Sequence, residues 1–251
     1  MTSVVCIIQA RTGSTRLPGK VLKQIKGKTI LYYVIERVKQ SKFVDQIIIA
    51  TTTNKKDDVI IEEAKKLKVD FFRGNEEDVL SRYYYTAKEF NADIVVRITS
   101  DCPLIDPKTI DKVIKYYLEN KEYSLVTNAG ADNKNRTYPR GLDTEVFSFD
   151  VLNKAFKNAT EKYQREHVTP YIYENPKRFN VYYLKAKGKL KRPDIRVTLD
   201  TKKDFKLISK IISHFEDISF NMEDIIDFLE DNPELLSINK NVKQKNIRGY
   251  E

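Results

Sequence analysis

Cysteine and histidine are almost missing from this chain, with two of each in 251 residues. Cys6 and Cys102 are too few for a disulfide framework, which agrees with a reducing compartment. The same scarcity argues against a zinc site of the usual His/Cys kinds. No window approaches the roughly eighteen apolar residues of a membrane helix, so no membrane partner is expected. A signal-peptide pattern is also lacking, because Arg11 interrupts the first apolar run almost at once, and a cytoplasmic location is the expectation. Two phosphate-binding fingerprints are absent as well. A P-loop needs two glycines separated by four residues, then Lys and Ser or Thr. Here five residues separate Gly13 from Gly19, and Val21 follows Lys20. No G-x-G-x-x-G run occurs, which removes the dinucleotide fingerprint.

Positive charge is what the chain has in excess, a net +9. That suggests an anionic partner without choosing one. The lysines are spread along helical segments that also carry acids, as in Glu62-Glu63-Ala64-Lys65-Lys66. A solvated surface therefore fits better than the clustered stripe of a nucleic-acid binder. The 15 tyrosines fall at helix-like positions such as Tyr83-Tyr84-Tyr85, suited to packing more than to base stacking. With 41% hydrophobic and 32% charged residues, the chain is long enough for one α/β domain with a substantial core.

The most informative stretch runs from Gln9 to Lys20. It leaves an apolar run, Ser3 to Ile8, that reads as a buried strand, and it precedes a helical pattern over Ile30–Lys39. Two glycines, three hydroxyls and three cations (Arg11, Arg16, Lys20) crowd into this loop. Glycines let backbone N–H groups approach an anion while cations offset several charges at once. A polyphosphate is the simplest ligand for such a loop.

Strand and helix then alternate. Strands are expected at 45–51, 69–72, 93–99 and 123–127, with helices at 56–66, 76–90 (capped by Asn75) and 107–119. That order predicts an α/β fold, a mostly parallel sheet with helices on both faces. Its strand-end loops, Arg11–Lys20, Thr51–Asn54 with Thr52, Arg73–Asp78 and Ser100–Asp106, should converge on one cleft. Residues 129–140 read as a loop, 141–149, 179–187 and 195–200 as strands, and 150–157, 161–173, 203–215 and 222–232 as helices. The stretch 239–251 reads as a basic tail, with Ile247 and Tyr250 as anchors if it docks. The chain is thus expected to form a single domain, with a nucleotide-binding half (1–128), an acceptor-side half (129–205) and C-terminal helices plus tail (206–251).

Two aspartates stand out. Asp101 lies just past one expected strand, and Asp200 ends another. Each reads alternatively as a turn or helix cap. Together they supply the one or two carboxylates that Mg²⁺ typically takes alongside substrate phosphates.

The run Gln9-Ala10-Arg11 followed by Ser14-Thr15-Arg16-Leu17-Pro18-Gly19-Lys20 resembles the signature loop of the cytidylyltransferases that activate acidic sugars. These are the acylneuraminate and CMP-KDO synthetases, with the spore coat polysaccharide biosynthesis protein SpsF branch beside them. The resemblance extends from Val4 to about Phe205. It implies a Mg²⁺-dependent transfer of CMP from CTP to an acidic sugar for cell-surface or spore-coat polysaccharide synthesis, with pyrophosphate released. It further implies Asp101 and Asp200 as metal ligands, with Arg11, Lys20 and Asp101 catalytic. The nucleotide would meet Gln9, Ala10, Arg11, Gly13, Ser14, Arg16, Lys20, Thr52, Gly74, Arg82 (or Ser81) and Ser100. Tyr138-Pro139-Arg140-Gly141-Leu142-Asp143-Thr144-Glu145 and Arg165-Glu166-His167 resemble the acceptor side, which implies Arg140, Asp143, Glu145, Arg165 and His167 there. Asp143 and Glu145 read equally as a third metal ligand or as strand-edge charges, and His167 also reads as a structural histidine. A homodimer is a further implication. Rival readings are a nucleotidyltransferase for sugar-phosphate, polyol-phosphate or phosphonate acceptors, and a nucleotide-sugar glycosyltransferase. The latter commonly uses D-x-D, which Asp101-Cys102-Pro103 does not supply.

Overall fold

The computed structural model of the protein describes residues 2–130 and 136–244. In chain order the elements are β1 (Val4–Gln9), the two-residue strands β2 (Gln24–Ile25) and β3 (Lys28–Thr29), α1 (Ile30–Val38), β4 (Gln46–Thr52), α2 (Asp58–Lys66), β5 (Asp70–Gly74), α3 (Val79–Glu89), β6 (Ile94–Thr99) and α4 (Pro107–Glu119). Then come β7 (Leu125–Thr127), β8 (Glu145–Ser148), α5 (Phe149–Asn158), α6 (Lys162–His167), α7 (Pro170–Tyr173), β9 (Val181–Tyr183), α8 (Lys202–His214) and α9 (Met222–Asp231). Seven strands form one sheet in the order β5-β4-β1-β6-β8-β7-β9. Only β8 runs antiparallel, to both β6 and β7.

Alternation within β1 explains the layering. Val4, Cys6 and Ile8 pack with α1, α2 and α4 on one face. Val5 and Ile7 pack with α3, α5 and α7 on the other. The helices on both faces account for the nearly continuous Val/Ile strands. A third cluster joins α8 and α9 to Leu104, Leu142 and the 195–199 segment. The expected α/β architecture, mostly parallel with helices on both faces, is what forms.

From β1 the chain builds outward through β4 and β5, then resumes at β6 on the other side of β1. The loops after β1 and β6 therefore part at the sheet's switch point, where open α/β sheets receive ligands.

Several expected boundaries shift for local reasons. The helix expected from Glu76 begins at Val79, because the Asp78 carboxylate accepts from Ser81 N at 2.9 Å and is the cap. Asn75 instead accepts from the amides of Glu77 and Asp78 in the preceding turn. The expected helix 161–173 is two pieces, broken where Val168 takes φ +72° and Pro170 starts α7. The sheet strands in the 141–149 and 179–187 regions shrink to β8 and β9. Residues 195–200 form no strand; Arg196 makes only an isolated parallel bridge to Arg140. Gly141 permits that approach: its φ is +108°, and a Cβ there would lie 2.8 Å from Thr198 N. Within the expected tail, the Asn239 side-chain amide donates to Arg196 O and Asp204 Oδ1 at 3.0 and 2.9 Å, so residue 239 is docked. Ile247 and Tyr250 lie outside the described residues.

Candidate active site

The loop after β1 is fixed at both ends. Gly19, at φ +64°, returns its N–H to Thr12 O at 3.1 Å. The Thr12 N–H and hydroxyl both donate to Asp57 Oδ1, and the second Asp57 oxygen accepts from the Thr52 hydroxyl at the end of β4. This closure aims Lys20 across the switch point.

There Lys20 Nζ lies 2.8 Å from Asp101 Oδ2, 3.0 Å from Asp200 Oδ1 and 2.8 Å from the Leu199 carbonyl. The Leu199 N–H donates to Asp101 O at 2.8 Å, which ties the late segment to the β6 loop. The second oxygen of Asp200 faces Arg196 Nη2 at 2.7 Å and Arg16 Nη2 at 3.1 Å. Asp101 Oδ1 accepts from the Thr99 hydroxyl at 2.6 Å. Neither aspartate caps a helix. Asp106 caps α4, and Thr201 caps α8 in a capping box with Asp204. Burial alone would lower the Lys20 ammonium, but Asp101 and Asp200 outweigh it and the net shift is upward. Burial likewise opposes the Asp101 charge, and Lys20 with Thr99 more than offsets it, leaving the carboxyl below the usual range.

Around this centre the other expected residues separate into groups. Ala10 and Ser100 are buried at the sheet end, with Ser100 N donating to Gln9 O. The Gln9 side chain accepts from Arg97 at 3.1 Å. Arg11 is exposed and reaches Glu76 at 3.7 Å. Gly13 lies beside Glu76 and Lys56, and Ser14 Oγ accepts from Leu17 N within the loop. Thr52 is committed to Asp57. Arg82 is buried against Gly74, where a Cβ would meet its Cγ at 2.7 Å. Its Nε and Nη1 have no partner among the described residues. Ser81, also buried, bonds back to Asp78 O.

On the acceptor side, Arg140 adjoins the cluster through its bridge to Arg196. Burial, with Arg136 and Arg196 nearby, pushes its guanidinium down to about 10. Asp143 is paired with Arg136 at 2.8 Å. Glu145 is buried and paired with Arg97, and accepts from the Thr169 hydroxyl at 2.8 Å. It is thereby occupied in a sheet-core ion pair. Arg165 grips Asp78 at 2.6 and 2.8 Å and two carbonyls at the end of α5, so it joins α6 to α3 and α5 and not to the cluster. His167 ends α6.

The cytidylyltransferase family profile matches residues 5–247. This chain belongs to the cytidylyltransferase family. It is 32% identical over 241 residues to the spore coat polysaccharide biosynthesis protein SpsF of Bacillus subtilis, covering 93% of this chain and 97% of that one. A solved cytidylyltransferase from Leptospira borgpetersenii superposes with a TM-score of 0.89 at 36% identity, covering 98% of this chain and 100% of that chain. A CMP-KDO synthetase solved with CTP shares the fold at 17% identity, with a TM-score of 0.65 over 85% of this chain and 99% of that chain. The protein is accordingly a nucleotidyltransferase by family and by fold.

Sequence reasoning about this cytidylyltransferase misses Asp57, Arg136 and Arg196. Asp57 reads as a helix-start acid, Arg136 as loop, and Arg196 as one position in an alternating strand. The one available signal is that Arg196 lies four residues before Asp200. Two surface hollows of about 290 and 430 Å³ flank α4, and neither is lined by Lys20, Asp101 or Asp200. No group of three or more His, Cys, Asp or Glu side chains suited to a metal occurs among the described residues. The oxygen set at Lys20 nevertheless fits a hard cation. One ammonium already sits within 3.0 Å of two carboxylates and a carbonyl, with further ligands left to substrate phosphates.

Proposed function

We propose that this enzyme transfers CMP from CTP to an acidic sugar, releasing pyrophosphate, with Mg²⁺ held by Asp101 and Asp200. The observation that carries the reading is the meeting of Lys20, Asp101 and Asp200 at the switch point, from three distant parts of the chain. The cationic loop supports a triphosphate: Arg16 meets Asp200 beside Lys20, Arg11 precedes them in the same loop, and both would balance charge on the departing pyrophosphate. Each well-placed group of this kind is worth about 3–4 kcal/mol in the transition state. When bound, the ion would neutralise charge growing at the α-phosphate. The buried, partnerless Nε and Nη1 of Arg82 beside Gly74 support a pocket for the base, whose cytosine face offers acceptors. Arg140, next to Arg196 and Asp200, supports an acidic acceptor arriving from the 136–143 side.

The kinship with SpsF and CMP-KDO synthetase supports a sugar acid as acceptor and surface polysaccharide as the destination. A homodimer completes the proposal, on the resemblance alone. Among the described residues no helix is long and apolar enough to cross a membrane.

A pyrophosphate-release screen tests this reading, with each of the four nucleoside triphosphates set against sugar acids, sugar phosphates and phosphonates. Release with CTP and a sugar acid is the expected result. Release only with a sugar phosphate or phosphonate would move the acceptor class, and equal release with all four triphosphates would remove cytidine specificity. No release with any pair would overturn the assignment.

A further inference from the structure

The Lys20 ammonium has an environment unusual for a phosphate-binding lysine. It is surrounded by oxygens of Asp101, Asp200 and Leu199 at 2.8, 3.0 and 2.8 Å. The remaining carboxylate oxygens are also engaged. Asp200 Oδ2 faces Arg16 and Arg196, and Asp101 Oδ1 faces Thr99. The three cations Arg16, Lys20 and Arg196 match the three carboxylates Asp101, Asp200 and Asp204 in formal charge. A divalent ion added to this arrangement meets a balanced cluster with its seat taken. The Lys20 ammonium and a divalent ion cannot both occupy the one position between Asp101 Oδ2, Asp200 Oδ1 and the Leu199 carbonyl. Lys20 has the means to leave. Its side chain is flexible, and it follows Gly19, whose φ of +64° begins the 3-10 turn 20–22.

We propose that Lys20 is an exchangeable counter-ion that occupies the metal seat until a polyphosphate draws it away. This rests on the reading that Asp101 and Asp200 hold the divalent ion. Metal affinity is then low in the nucleotide-free enzyme and rises once phosphate oxygens take the ammonium. The two ligands are coupled through one side chain, and linkage makes that coupling reciprocal. A lysine serving only the phosphates has no such effect on metal binding in the absence of nucleotide.

The test measures Mn²⁺ binding to the nucleotide-free enzyme, by the loss of the free-Mn²⁺ EPR signal. Wild type, Lys20→Met, Lys20→Gln and Lys20→Arg are compared, with folding checked by circular dichroism. Met and Gln each remove the charge, so either one that folds is informative. Both are expected to bind Mn²⁺ at least tenfold more tightly than wild type, and Lys20→Arg to remain as weak as wild type. CTP affinity measured in EDTA should move the opposite way, weakening at least tenfold in the Met and Gln variants. Mn²⁺ affinity equal to or below wild type in the folded neutral variants overturns the proposal. That result leaves the functional reading standing if wild type still releases pyrophosphate from CTP. Absence of pyrophosphate release from wild type with every acceptor counts against the functional reading instead.

Discussion

Thr12 donates twice to a single oxygen of Asp57, through its backbone N–H at 2.8 Å and its hydroxyl at 2.5 Å. Asp57 is fully buried at the start of α2, and its other oxygen is taken by Thr52. One carboxylate thus fastens the cationic loop to the end of β4. Asp57→Ala strands three donors and frees the loop's neck. The expected cost is about 1–3 kcal/mol of stability, read by denaturant unfolding. KM for CTP should rise while the acceptor KM stays the same. An unchanged CTP KM would show that the loop holds its shape without this tie.

Asp101 gives the enzyme a pH signature. Lys20 and Thr99 hold its carboxyl below the usual range against the opposing effect of burial. A carboxyl depressed in the folded state contributes stability above its unfolded value, near about 4, and loses it as pH falls through the folded value. The raised Lys20 ammonium works in the other direction: its contribution is complete below about 10.4 and fades as pH rises through the folded value. The difference in unfolding free energy between wild type and Asp101→Asn should therefore be flat from about pH 5 to pH 9 and shrink below about pH 4. The same variant should fold at neutral pH and lose at least ~100-fold in kcat. Wild-type turnover in Asp101→Asn would remove this residue from the metal seat.

The parts of this site written in local chemistry are the legible ones. The Arg11–Lys20 loop announces itself by packing glycines, hydroxyls and cations between a strand and a helix. Asp101 announces itself by following the apolar run of β6. Asp200 is harder, because the alternation of 195–199 looks like a strand, whereas the segment is held by Arg140 and by the close approach that Gly141 allows. For the same reason little beyond its place four residues before Asp200 marks Arg196 in the sequence: its part depends on a neighbour 56 positions away, Arg140 being the bridge partner. Arg165 looks like an anion binder because any arginine in a motif does. Its real partner, Asp78, is 87 positions earlier, and no periodicity reports a pairing of that range.

Arg165→Ala separates an acceptor contact from a strut. Its guanidinium joins α6 to the cap of α3 and to two carbonyls at the end of α5, and charged hydrogen bonds of this kind are worth roughly 1.5–3 kcal/mol. The variant should lose about that much stability, with the acceptor KM within a factor of about two once the protein is folded. Arg140→Ala, next to the cluster, should instead raise the acceptor KM at least tenfold with little change in stability. The reverse pattern in steady-state kinetics and chemical denaturation would exchange the two roles.

Gly74→Ala probes the proposed base pocket without touching a charge. A Cβ at this position meets Arg82 Cγ at 2.7 Å and a Phe72 ring carbon at 3.1 Å. The first contact is too near the root of the side chain to be relieved by a terminal rotation, so the Arg82 stem must move. The burial of Arg82 leaves little room for that shift. The added methyl should therefore displace the unpartnered Nε and Nη1 from the place a base would meet them. CTP should bind at least tenfold more weakly by calorimetry, and preference for CTP over UTP should fall, while inorganic pyrophosphate binding to the Arg11–Lys20 loop stays near wild type. Equal weakening of pyrophosphate and CTP would place the damage in the phosphate loop, and unaltered CTP binding would take Arg82 out of base recognition.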